Sequence, residues 1–150
     1  MTVVDSPRRA DNHLSEPFPK EVEFVISALE AGHRPLVDRH KVKRSPYHVR
    51  AELKLFSDPA GQPPYLLFTR HISPKAVGFL CKTYLALSHG GVLRIPGPNG
   101  KVMEIYCTVL RCREAGPGWY EGAIYFNREQ ATFAAEHLAS IGHAGHGRAA

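Results

Sequence analysis

The chain has 150 residues, of which 43% are hydrophobic and 22% charged; this suits one compact core and excludes a wholly disordered, collagen-like or coiled-coil chain. Its uncharged apolar runs, such as residues 76–81, are far shorter than the ~20 residues that cross a bilayer, and the N-terminus has no apolar signal core, so the expectation is a cytoplasmic protein without a membrane span. The net charge of +5 is concentrated in residues 33–54, where Arg34, Arg39, Lys41, Lys43, Arg44, Arg50 and Lys54 face only Asp38 and Glu52, and this points to a local anion site rather than an evenly basic surface.

Residues 1–17 mix Pro, Ser, Asp and Arg without an apolar period and read as a flexible tail. Residues 18–32 form an accessory amphipathic helix, because Val22, Val25, Ile26 and Leu29 recur at i, i+3, i+4 and i+7 between Pro19 and Gly32. Residues 33–46 lose that period and become a basic connector. From Tyr47 the spacing changes to two: Tyr47, Val49, Ala51, Leu53 and Leu55 alternate with polar residues, as in a strand with one buried face.

Five more strands follow at about 65–72, 77–82, 91–95, 102–113 and 119–126, separated by turns rich in Gly and Pro. Six strands with no helix between them predict a mainly β chain, an antiparallel barrel or sandwich. A C-terminal helix is expected next, with Asn127 as its cap, Gln130 at the capping-box position and Phe133, Ala134, Leu138 and Ile141 as its apolar stripe. Barrel and helix together occupy residues 47–142, and residues 143–150 form a second flexible tail.

Catalysis is not expected. Cys107 and Cys112 are five apart, which on a regular strand sends them to opposite faces, and neither has an adjacent base. Glu104, Glu114 and Glu121 form no recognisable acid/base pair. The three cysteines, Cys81, Cys107 and Cys112, lack the spacing of a zinc site or a disulfide framework, and nothing fixes His137, His143 and His146 around a metal. Tyr65, Tyr84, Tyr106, Trp119, Tyr120 and Tyr125 offer rings on which single-stranded nucleic acid could stack. Strand alternation already accounts for most of them, so nucleic acid is not the expected partner.

Two segments remain where chemistry could reside: the connector Asp38-Arg39-His40-Lys41-Val42-Lys43-Arg44, and the junction Thr69-Arg70-His71-Ile72-Ser73-Pro74-Lys75-Ala76. In this order, and followed by Val109-Leu110-Arg111-Cys112-Arg113 and Gly118-Trp119-Tyr120-Glu121-Gly122, they make residues 38–141 resemble a PilZ domain. The resemblance implies a six-stranded antiparallel barrel with a C-terminal helix, and a binding module without cofactors. Its ligand would be cyclic dimeric GMP (c-di-GMP), and its output would be altered contact with a protein partner. It also implies an Arg-x-x-x-Arg pair before the first strand and an Asp/Asn-x-Ser-x-x-Gly turn between the second and third.

Here those positions fall on His40 and Arg44, and on His71, Ser73 and Ala76; a one-residue slip would use Arg39 and Lys43 instead. Arg44 and Ser73 keep the family residue. The departures matter chemically, because imidazole lacks the planar fork of a guanidinium and a neutral histidine has one acceptor where a carboxylate has two oxygens. A Cβ at position 76 conflicts with a left-handed turn. An adaptor that no longer binds c-di-GMP is therefore the alternative. Both histidines are expected to titrate near neutrality.

Overall fold

The structure is a computed structural model that describes residue 14, residues 16–32 and residues 44–138. Helix α1 (Lys20–Gly32) starts immediately after Pro19, whose carbonyl accepts bonds from the Val22 and Glu23 amides at 3.1 and 3.2 Å. Glu21 and Glu23 in its first turn complement the positive end of the helix dipole. Seven strands follow among the described residues: β1 (Ser45–Pro46), β2 (Arg50–Leu55), β3 (Tyr65–Ile72), β4 (Ala76–Cys81), β5 (Gly90–Pro96), β6 (Val102–Gly116) and β7 (Trp119–Phe126).

Every pairing is antiparallel, and the order β3-β2-β5-β6-β7-β4 returns through β4 to β3, closing a six-stranded barrel. The extra strand β1 lies along the same edge of β3 as β2, with Ser45 opposite Ile72 and Pro46 opposite His71. The strand expected from Tyr47 thus begins earlier and is broken at residues 47–49. Thr69 accounts for the break: its hydroxyl donates to the Tyr47 carbonyl and accepts from the Val49 amide, between two backbone bonds that persist, Tyr47 amide to Arg70 carbonyl and Thr69 amide to Val49 carbonyl, both at 3.0 Å.

The barrel interior is apolar. Leu53, Phe79, Leu93 and Ile124 are fully buried there, and burial of each such side chain stabilises the fold by roughly 1.5–3 kcal/mol. Strands β6 and β7 approach closely at Gly122, where a Cβ would run into the Arg111 carbonyl and the Phe79 ring. Phe133 plugs one end, edge-to-face with Tyr47 at 5.5 Å and tilted against Phe126 at 6.1 Å. It comes from a 3-10 turn (Ala131–Phe133) that leads into helical residues 135–138.

That C-terminal helix therefore starts later than its sequence signals suggest. Asn127 does not cap it, because its side chain accepts the Thr108 hydroxyl instead at 3.0 Å. Gln130 occupies the cap position of the 3-10 turn without a side-chain cap bond. Ile141 and the tail 143–150 lie outside the described residues, as does the N-terminal tail except residues 14, 16 and 17.

Cys107 and Cys112 share the interior rather than opposite faces, since a bulge between Val109 and Arg111 shifts the alternation of β6 by one residue. Burial pushes the Cys81 and Cys107 thiols up to about 12, so neither supplies a thiolate nucleophile near neutrality. Among the described residues no helix is long and apolar enough to cross a membrane.

A second, smaller core lies outside the barrel. Val22 and Ile26 of α1 are buried against Phe68, Leu80 and Trp119, with Val25 and Leu29 packed beside them. The apolar stripe of α1 is thus seated on the outer faces of β3, β4 and β7.

Candidate functional site

The site begins with an irregularity in β3. Thr69 pairs with Phe79 and Ile72 with Val77, so three steps along β3 match two along β4. Leu67 and Ile72 both join the barrel core, and a regular strand cannot bring residues five apart to one face. The extra residue of the bulge turns both Arg70 and His71 outward. Pairing of β1 with the end of β3 then delivers Arg44, the residue preceding the Ser45–Ile72 pair, to the same outer surface.

Together with α1 these residues enclose an open groove of about 530 Å3, lined by Ile26, Ser27, Glu30, Arg44, Pro46, His48, Arg70 and His71. Small-molecule sites commonly fall between about 300 and 1,000 Å3. Its electrostatics are dominated by guanidinium groups. Arg70 donates from Nη1 to Glu121 Oε2 at 3.1 Å and from Nη2 to Glu30 Oε2 at 3.2 Å. Arg111 bonds the same Glu121 oxygen, and Arg113 donates from Nε to Oε1 at 3.0 Å. Three arginines thus surround one buried carboxylate. Burial alone would raise the Glu121 carboxyl, but the hydrogen bonds and charges of Arg111 and Arg113 outweigh it and hold the group below the usual carboxylate range.

The His71 ring lies against Gly78, with its Cε1 only 2.7 Å from where a Cβ of residue 78 would stand. Its pKa is pushed down to about 4, first by burial and then by the charges of Arg44 and Arg70, which outweigh the opposing effect of Glu30. The expectation that it titrates near neutrality is therefore wrong in the ligand-free protein, where it is a neutral imidazole at pH 7. Such a ring carries one donor and one acceptor nitrogen.

Ser73 is buried and closes the turn between β3 and β4. Its hydroxyl accepts the Lys75 amide at 3.2 Å and its amide donates to the Ala76 carbonyl at 2.9 Å. Ala76 begins β4 as ordinary extended strand, and the non-glycine residue with positive φ among those described is Ser88. The anticipated backbone conflict at position 76 does not arise.

Of the residues singled out in the sequence, the groove brings together Arg44 and His71. Ser73 and Ala76 shape the adjoining turn and do not line it. Arg39, His40 and Lys43 lie outside the described residues. Sequence reasoning missed Arg70, Glu30 and His48. One signal for Arg70 was present: two successive polar residues, Arg70 and His71, interrupt the β3 alternation before Ile72, as a bulge requires.

No family model matches the chain, and no curated protein matches it. Among solved structures it is similar to the Bacillus subtilis inhibitor of motility MotI/DgrA, with a TM-score of 0.52 at 11% sequence identity over 75% of this chain and 54% of that one. The chain thus spans about half the length of that structure. At such low identity the likeness speaks for the fold alone, and the fold it supports is a PilZ-like barrel.

Proposed function

We propose that this chain is a PilZ-type binding module that takes c-di-GMP in the groove between α1 and β3 and signals by changing its contact with a partner protein in the cytoplasm. The observation that carries this reading is the convergence of Arg44, Arg70 and His71 on one open groove beside the β3–β4 turn. A guanidinium grips a phosphate, meets guanine O6 and N7 through a planar fork, or stacks on a base. Two of them supply the paired-arginine chemistry that His40 cannot, with Arg70 standing in from the strand. Neutral His71 offers a ring nitrogen as donor or acceptor to a base edge.

The adaptor reading, in which nucleotide binding has been lost, is favoured by one observation: Glu30 already holds Arg70. Equilibrium dialysis of the full chain against labelled c-di-GMP, with GMP and an arbitrary single-stranded oligonucleotide as competitors, separates the possibilities. Saturable uptake resisting both competitors supports the reading. Displacement by the oligonucleotide, with a steep salt dependence, would assign the basic surface to nucleic acid, and absence of uptake would leave the adaptor.

A further inference from the structure

We propose that α1 is an anion-released cover, in which the Glu30 carboxylate holds Arg70 until a phosphate group of the ligand takes its place; the proposal rests on the groove being the c-di-GMP site. The geometry lies in the guanidinium of Arg70. Its Nη1 is committed to Glu121, whose side chain is 6% exposed and shared with Arg111 and Arg113. Its other edge consists of Nη2 and Nε. Glu30 meets Nη2 through one oxygen, and among the described residues no acceptor meets the buried Nε. An edge shaped for two acceptors is thus served by one.

A phosphodiester presents two unesterified oxygens and can engage both donors side by side, the geometry in which guanidinium pairs are strongest. Glu30 is the weaker occupant for a second reason. Its side chain is 55% exposed, against 10% for Arg70, and ion pairs with one such exposed member shift an equilibrium by only about two- to fivefold. Replacing Glu30 on Arg70 therefore favours the ligand, and the Glu121 contact keeps the guanidinium in position throughout.

What Glu30 releases is α1 itself. Ile26, Ser27 and Glu30 form the helix wall of the groove, so a ligand seated on Arg70 presses against the element that Glu30 secures. A helix of 13 residues is marginal alone in water, and α1 is otherwise held by the small outer core. Its departure would expose Phe68, Leu80 and Trp119 on the barrel and Val22 and Ile26 on the helix, surfaces that are buried together in the free protein. These are apolar faces of the kind a protein partner covers, and binding of a nucleotide would thereby become a change of contact surface.

Hydrogen exchange of the α1 amides in the full chain tests this, measured free and at saturating c-di-GMP for wild type, Glu30→Gln and, as control, Glu129→Gln, which removes an exposed carboxylate outside α1, with affinities from calorimetry. In wild type, α1 exchange should accelerate severalfold on c-di-GMP binding. Glu30→Gln should accelerate it two- to fivefold without ligand and tighten c-di-GMP binding by a similar factor, since coupling between the two occupants of Arg70 is reciprocal. Glu129→Gln should do neither. Binding accompanied by unchanged or slowed α1 exchange overturns the cover and leaves the groove reading standing. Exchange in Glu30→Gln equal to wild type overturns the latch whether or not the nucleotide binds. No binding heat from either folded protein overturns the groove reading and the release by ligand together.

Discussion

His71 sits where a histidine is easily mistaken for a pH sensor. Between Gly78 beneath it and Arg44 and Arg70 beside it, the imidazole is held at about 4, below the 6.5 of an unfolded histidine. The unfolded chain therefore binds the proton first, and this group's contribution to stability is lost as pH falls from about 6.5 through about 4. Thermal unfolding across that window should show stability rising with pH, and His71→Gln should flatten the rise; an unchanged slope would contradict the placement of the ring. Above pH 6.5 the ring is neutral in both states. Affinity for c-di-GMP should then vary little between pH 6.5 and 8.

Gly78 is the seat of that ring, so Gly78→Ala should push the imidazole into the groove and weaken nucleotide binding while the barrel keeps its melting temperature within a few degrees. Arg44 carries a larger effect. Its removal deletes a charged hydrogen-bond donor, and such contacts contribute about 1.5–3 kcal/mol, so Arg44→Ala should lower c-di-GMP affinity at least tenfold. Arg44 was legible because it matched a motif position; Arg70 matched none, and its direction depends on a bulge whose sequence trace is only the polar pair Arg70-His71 ahead of Ile72.

At the scale of elements, apolar runs punctuated by turns made the strands readable almost to the residue, as in β3 and β7, whose observed limits match those expected. The misses share one physical cause: pairing between strands overrode local pattern. The break between β1 and β2 comes from Thr69, a residue on another strand. The late start of the C-terminal helix comes from Thr108, which claims the side chain of Asn127. The apolar stripe of α1 was plain in the sequence, whereas its seat on Phe68, Leu80 and Trp119 depends on tertiary folding.

Two substitutions separate these layers. Gly122→Ala places a methyl against the Arg111 carbonyl and the Phe79 ring, and overpacking of that kind costs about 1–3 kcal/mol, visible as lowered stability of the whole barrel. Ile26→Ala should instead loosen α1 alone, with fast exchange confined to its amides. Global unfolding by Ile26→Ala would show that the outer core is part of the barrel's foundation.

The molecule as a whole combines a closed barrel, which leaves few free strand edges, with one helix laid over an arginine-rich part of its wall. The charge concentrated before the first strand was evident from the sequence, and Arg44 is the member of that run that the described structure places in the groove. The fold supplies the frame, but function depends on whether that groove accepts a cyclic dinucleotide. The direct measurement is calorimetric titration of c-di-GMP into the full chain, in parallel with Arg44→Ala and Arg70→Lys, the latter keeping the charge and losing the planar fork. Saturable binding by wild type, weakened at least tenfold in both folded variants, is the expected result. No saturable heat from wild type, or wild-type affinity surviving both substitutions, would contradict it.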